Sequence, residues 1–439
     1  MNSTQRGQPR QGANSISEEL ERRIRSGDLN PGDRLPAIRA LAGELDVSPA
    51  TVSSAYRRLR SRGLIVASRR GTVVAPTPDL AGPSTIPQDT PGRDLSDGNP
   101  DPRLLPDLGS ITVSDEPVLY DEAQEVEDLV EITRADFFRD GVPGGHIVIV
   151  AGSHDGVERA LATSLLPGDR VAVEDPGFVG THDLIRAMGF VMTPVGIDGQ
   201  GMLPEDLERA LTGAKGADAV VLTSRAQNPT GAALTNERAR ELAEVLAGHP
   251  DVMVVEDDHA GPVCGAPFAT TIDPDRERWV VVRSFGKYLA PDLRVAAMAG
   301  DALTIARVRA RLAVGTGWVS RLLQRLVVRG LRDERCRAML EEARESYRER
   351  RERMCEALRA RGIAVEAPSG FQVWVPVERE TEAWSYLARQ GWIVAPGEAF
   401  RIGSPPGLRI TLSSLEPDEI DTVADAVAEA VSQSRRPTR

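Results

Sequence analysis

The chain has almost no lysine. Of its 53 basic side chains, 51 are arginine, and the two lysines are Lys215 and Lys287. A guanidinium stays protonated in proteins, whereas a desolvated amine can lose its proton and act as a nucleophile. A lysine in an arginine background therefore marks a candidate place where chemistry demands an amine, and a chance survivor of arginine-biased coding is the alternative. Cysteine is also scarce: Cys264, Cys336 and Cys355 are odd in number and lack metal-ligand spacing. That argues against a disulfide framework or a cysteine-based metal site, and it suits free buried thiols in a reducing cytoplasm. No apolar run approaches the ~18 residues of a membrane span. The opening stretch, MNSTQRGQPRQG, lacks the apolar core of a secretory signal. The expectation is a cytoplasmic protein with no membrane partner and no metal.

What is present is unevenly distributed. The 439 residues carry a net charge of −12, yet residues 1–77 alone carry +6, leaving −18 on the remainder. A basic head on an acidic body places any polyanionic partner at the head. Length suggests roughly two or three domains. The expected boundaries are a flexible N-terminus at 1–14, a small domain at 15–77, a proline-rich linker at 78–95 and a large domain at 96–439.

In the head, SISEELERRIRSG spaces Ile16, Leu20 and Ile24 along one helical face that stops at Gly27. LPAIRALAGEL forms a second helix, with Pro36 near its first turn and Leu41 and Leu45 inward. In the third, VSPATVSSAYRRLRSRG, Ser48 caps, Pro49 starts and Val52, Tyr56 and Leu59 are buried. Thr51, Ser53, Ser54, Arg57 and Arg58 are left facing outward. LIVASRRGTVVA then reads as two short strands around a basic turn. Three helices and a basic hairpin make a winged helix-turn-helix, a shape whose third helix fits the major groove of double-stranded DNA. A protein-docking module of three helices is the alternative.

In the body, Val/Ile runs alternate with amphipathic stretches. Strands are expected at 146–150, 170–174, 190–195, 219–224, 252–257 and 279–284. Such a pattern predicts an α/β fold with a mostly parallel sheet, whose ligand lies at the C-terminal strand edges. The residues following each strand are accordingly Gly152, Ser153 and His154 at a helix start, Phe178 in DPGF, Asn228 in QNPTG, Asp257–Asp258–His259, and Ser284, Lys287 and Arg294 in SFGKYLAPDLR. Each alone is what an ordinary turn or core also holds. Together they supply a phosphate cradle, a stacking ring, an amide, a buried acid and a neutralisable amine, the parts list for pyridoxal phosphate.

Two resemblances follow. GDRLPAIRALAGELDVSPATVSSAYRRLRSRGLIVASRRGTVV resembles the DNA-binding domain of GntR-type bacterial regulators. That implies that Arg34, Arg39, Ser48, Thr51, Ser53, Arg70 and Gly71 face DNA; Pro49 stands where many members carry arginine. AGSHDG, EDPGF, QNPTG, VEDD, SFGKYLAPDLR and GLRITLSSL, with DGNPDPRLLPDL ahead of them, resemble the fold-type I aminotransferases. That likeness implies a pyridoxal-phosphate-dependent transferase fold with a smaller C-terminal α+β subdomain at about 335–430. It implies a Schiff base on Lys287, Asp257 on the pyridine nitrogen, Asn228 on the phenolic oxygen and Phe178 stacked on the ring. Ser153, His154, Ser284 and Arg294 would hold the phosphate, and Arg409 would meet the carboxylate of an amino-acid-like ligand. Tyr120 would reach the phosphate of a neighbouring subunit in a homodimer. The family's phenol-binding tyrosine falls where His259 and Ala260 stand, which puts His259 beside the cofactor and weighs against turnover more than against binding.

A GntR-like head on an aminotransferase-like body is identified as a member of the MocR subfamily of transcriptional regulators. The resemblance implies an operator-binding protein that senses pyridoxal phosphate and an amino acid or amine effector. The alternatives are a working aminotransferase with an appended DNA-binding domain, and a degenerate scaffold that only dimerises.

Overall fold

The computed structural model describes residues 12–61, 64–68, 71–74, 92–110, 119–213 and 215–435. The N-terminal unit consists of α1 (Ala13–Arg25), α2 (Ile38–Glu44) and α3 (Pro49–Ser61), followed by the antiparallel hairpin β1 (Ile65–Ser68) and β2 (Gly71–Val74). Its core is small and apolar. Ile16, Leu20, Leu41, Val52, Ala55, Tyr56, Leu59 and Ile65 are buried, and Tyr56 donates its hydroxyl to the Pro36 carbonyl at 2.7 Å. Leu45 is only partly buried against this core. Pro36 lies next to the first turn, immediately before the Ala37 cap of α2. Arg34 bridges to Val73, which fastens the wing to the helices.

The large unit holds two sheets. An eight-stranded sheet runs in the order β4 (His146–Val150), β11 (Ala296–Gly300), β10 (Trp279–Ser284), β9 (Met253–Asp258), β8 (Ala219–Thr223), β5 (Arg170–Asp175), β6 (Val191–Asp198), β7 (Gly201–Met202). β5, β8, β9 and β10 are parallel to one another, and β11 is antiparallel to both of its neighbours. The central strands are buried along their whole length, as sheets covered on both faces require. Sequence periodicity located β4, β5, β8, β9 and β10 closely but not β11, whose small residues (AAMAG) carry little β-branched signal.

A four-stranded sheet, in the order β12 (Gln372–Pro376), β14 (Gly407–Thr411), β13 (Trp392–Pro396) and β3 (Arg93–Leu95), packs with the helices Glu334–Ala360, Glu380–Arg389 and Ile420–Arg435 around a second core. The linker was expected to extend through residue 95. Instead Arg93–Leu95 pairs in parallel with Trp392–Val394, and Leu95 is 1% exposed, so apolar burial captures the last linker residues as an edge strand. Among the described residues, no helix is long and apolar enough to cross a membrane.

Candidate cofactor site

The C-terminal ends of β5, β8, β9 and β10 open onto a cavity of about 320 Å³, a size suited to a small cofactor. Ten residues singled out from sequence line it: Ser153, His154, Phe178, Asn228, Asp257, His259, Ser284, Lys287, Arg294 and Arg409. The parallel register explains the convergence, because Thr223 sits opposite Asp257 and Val282 opposite Asp257 on the other side, so loops following three adjacent strands meet at one edge.

Lys287 donates from Nζ to the Gly98 carbonyl at 2.8 Å and lies 5.7 Å from the centre of the Phe371 ring. Burial first, and then the charge of Arg409, bring its ammonium down to about 8, with Asp97 opposing. Asp257 is buried at the end of β9, and its Oδ1 has no hydrogen-bond partner. Burial and the adjacent Asp258 charge push its carboxyl up to about 7, against a hydrogen bond from Ser153. An orphaned buried carboxylate oxygen is costly, and facing a cavity it suits a cationic ligand nitrogen. His259 lies with Nδ1 3.9 Å from Asp257 Oδ2; burial, then the Lys287 charge, lower it to about 4, so its imidazole is neutral at pH 7.

The opposite end is built for an anion. The helix Ser153–Ser164 presents its N-terminus to the cavity, and its first residue is the buried Ser153. Gly152 has φ +95°, and a side chain there would collide with the Arg294 guanidinium. Arg294 itself adopts a left-handed backbone at φ 46°, a strain on the order of 1–3 kcal/mol for a non-glycine residue. Ser284 Oγ accepts from Gly286 N at 3.2 Å, rigidifying the turn that carries Lys287. His154 stands edge-on to Phe178, with centroids 5.3 Å apart, and its buried Nε2 lacks a partner. Burial and Arg294 lower its pKa.

Arg409, on β14, reaches the cavity from the small subdomain. Its guanidinium donates to Asn228 Oδ1 at 3.3 Å and to the Ser96 carbonyl, and it stacks 4.9 Å from the Phe400 ring. Burial lowers it to about 10, and Nε has no partner. The donor set fits pyridoxal phosphate: an amine near neutrality, an unpaired acid, a ring on one wall and a helix N-terminus beside an arginine.

Tyr120 does not line this cavity. It is 91% exposed and packs edge-on against Trp318 at 5.9 Å. Sequence reasoning assigned no role to Asp97, Gly98, Asn99, Thr223, Phe371, Gln372 and Phe400, which also line the cavity. DGNPDP was a recognisable stretch, but its place at the site depends on β3, hidden inside a proline-rich region.

In the head, Ser48 Oγ accepts from Thr51 N at 3.1 Å and lies 2.8 Å from Thr51 Oγ1, so it caps α3 and orients Thr51. Arg34, Arg39, Arg57 and Arg58 are exposed, and Thr51, Ser53 and Ser54 are half-buried. Gly71 begins β2, whereas Arg70 lies outside the described residues.

The head and body thus define a two-module protein, a winged helix-turn-helix joined to a pyridoxal-phosphate-enzyme fold. Residues 133–427 match the model for class I and II aminotransferases, and residues 13–74 match that for bacterial regulatory proteins of the gntR family. The vitamin B6 salvage pathway transcriptional repressor PtsJ of Salmonella typhimurium is 42% identical over 427 residues, covering 96% of this chain and 99% of that one. The regulator TauR of Rhodobacter capsulatus is 29% identical, covering 86% and 87%. Among solved structures, the Pyrococcus horikoshii kynurenine aminotransferase superposes with a TM-score of 0.71 at 22% identity, covering 80% of this chain and 93% of that one, which shows the shared fold. The chain belongs to the GntR-type transcriptional regulators with a class I/II aminotransferase domain, the MocR architecture.

Proposed function

We propose that this regulator senses pyridoxal phosphate in the large-domain cavity and converts its presence into a change in DNA binding by the head. The observation that carries the reading is the pairing of a depressed amine, Lys287, with an unpartnered buried acid, Asp257, on one cavity. When bound, the cofactor supplies an aldehyde that condenses with primary amines and a pyridine ring that withdraws electrons. Lys287 offers the neutral amine that holds the aldehyde carbon. Asp257 keeps the ring nitrogen protonated, Phe178 covers the ring, and Asn228 meets the phenolic oxygen. Ser153, the His154 backbone, Ser284 and Arg294 hold the phosphate. Arg409 binds the carboxylate of an amino-acid-type effector. His259 and Ala260, where the aminotransferases carry a phenol-binding tyrosine, leave out a hydroxyl that would meet the phenolic oxygen, and this favours sensing over turnover.

The head reads an operator through α3 in the major groove, with Thr51 and Ser53 at base edges or phosphates and Arg34, Arg39 and the wing turn on the backbone. Two heads per homodimer would read a two-fold-related site, and the exposed Tyr120 would complete the partner's phosphate pocket. The relationship to PtsJ, named as a vitamin B6 salvage repressor, supports genes of B6 supply as targets.

The test is a salt-controlled operator shift with full-length protein, with and without pyridoxal phosphate. A cofactor-dependent change in affinity of about tenfold, in the range of ordinary allosteric couplings, is expected. Identical affinity with a demonstrably loaded protein contradicts the sensor reading, and steady turnover of amino donors would favour an enzyme.

A further inference from the structure

The chain enters the large domain through β3, a three-residue strand at the edge of the small sheet, paired among the described residues with β13. After Ser96, the residues Asp97–Asn99 line the cavity. They are held by the two cations that the preceding reading assigns to ligands. Lys287 Nζ donates to the Gly98 carbonyl at 2.8 Å, and the Arg409 guanidinium donates to the Ser96 carbonyl. Gly98 has φ +70°, and a Cβ there would lie 3.3 Å from an Arg409 nitrogen, so the segment is threaded tightly past that side chain. Further ties run to β14 and the turn beyond it, Gly98 N to Thr411 Oγ1 at 3.2 Å and Ser413 Oγ to the Asn99 carbonyl at 2.5 Å, and Ser96 donates from N at 2.8 Å and from Oγ at 2.6 Å to Asp94 Oδ1.

We infer that Ser96–Asn99 is a ligand-released relay, in which filling the cavity withdraws Lys287 and Arg409 from the Gly98 and Ser96 carbonyls and loosens the segment that joins the cavity to the DNA-binding head. This rests on the reading that the cavity takes an aldehyde cofactor and a carboxylate-bearing effector. A lysine nitrogen committed to an aldehyde carbon has surrendered ammonium protons and cannot keep donating in the same way. A guanidinium facing a carboxylate forms charge-assisted, often bidentate hydrogen bonds that outcompete a neutral carbonyl. Ser96 and Gly98 are both buried, and a buried carbonyl stripped of its donor must find water or move. The upstream end is pinned differently: Arg93 pairs with Glu419 at 3.3 Å and donates to the Ser414 carbonyl, and Leu95 is buried in the small-subdomain core. Release therefore acts on a short span that is held upstream by β3, the strand into which the linker from the head runs.

Hydrogen exchange of the full-length protein, read on peptides covering residues 92–101, tests this. Saturating pyridoxal phosphate is expected to raise exchange there about three- to tenfold, the change that losing one ordinary hydrogen bond produces. Lys287→Met and Arg409→Met are each expected to raise it similarly without cofactor, with the exchange of β8 and β9 serving as the check that the variants fold. Gly98→Ala supplies a third arm if either variant fails that check. Variants matching wild type within twofold overturn the relay whether or not the cofactor binds. Unchanged exchange in a wild-type protein whose visible absorbance proves loading overturns the relay and leaves the sensor reading standing. If no absorbance develops, the sensor reading fails, and faster exchange in the cofactor-free variants still supports the wiring of this segment.

Discussion

Asp257 and Asp258 are neighbours on β9, both buried, and they face opposite sides of the sheet with opposite surroundings. Asp258 is 0% exposed and holds two arginines: Arg225 through a fork at 2.8 and 2.9 Å, and Arg283 at 2.6 Å. Arg283 also pairs with Asp140 at 2.7 Å, and the two guanidiniums stack on Phe268 at 5.4 and 4.9 Å. Burial alone would raise the Asp258 carboxyl, yet the charges and hydrogen bonds of Arg225 and Arg283 hold it well below the usual range. Asp257 has no cationic partner within bonding reach among the described residues, keeps an orphaned oxygen and is pushed up to about 7. A buried charge whose partners are all protein is structural. A buried charge whose partner is missing awaits a ligand, which is how one strand can serve folding on one face and recognition on the other.

The largest effect is expected at the structural acid. Asp258→Ala leaves two buried guanidiniums without their shared acid and should cost about 3–5 kcal/mol, read as a lowered midpoint in chemical denaturation. On the recognition side, Asp257→Asn should weaken pyridoxal phosphate binding about ten- to a hundredfold, the scale of one charged hydrogen bond. It should leave the cofactor-free protein as stable as before, or more so. If both variants are equally destabilised, the distinction between the faces fails.

The two acids also predict opposite responses to pH. Asp257 has a folded pKa near 7, above its unfolded value of about 4. Its contribution to the stability of the cofactor-free protein is full below about pH 4 and is lost as pH rises through about 7. Buried Glu174 and Glu256, also raised to about 7, act in the same direction. Asp258 has a depressed pKa and contributes above about pH 4, losing that contribution in acid. Thermal melts of cofactor-free protein between pH 5 and 8 should therefore decline. Asp257→Asn should flatten the decline by on the order of 1–3 kcal/mol, whereas a melt curve unchanged by Asp257→Asn would contradict the assignment. The smallest expected effect lies in the head. Arg39→Ala should reduce the salt dependence of operator binding by about one ion and weaken all sequences alike; a loss confined to one operator sequence would show that Arg39 reads bases instead.

Much of this was legible in sequence because the relevant physics is local. Continuous Val/Ile runs placed β4, β5, β8, β9 and β10, and polar residues just beyond them proved to share one cavity. Helix periodicity placed α1 and α3 within about two residues. The contrast between Asp257 and Asp258 was not legible. Adjacent acids in VEDD look alike until the pleat sends one toward Arg225 and Arg283, which lie far away in the chain. Nor was the role of Asp97–Asn99 legible, because it depends on a three-residue edge strand with no hydrophobic alternation. Tyr120 was expected to serve a neighbouring subunit rather than its own chain, and its side chain is exposed on its own chain.

The most direct test of the account is the site of covalent capture. Full-length protein titrated with pyridoxal phosphate near pH 8, reduced with borohydride and digested should carry the pyridoxyl mass on Lys287, with the visible absorbance abolished in Lys287→Arg. Label spread over Lys215 and the N-terminal amine, or equal uptake by Lys287→Arg, would contradict it.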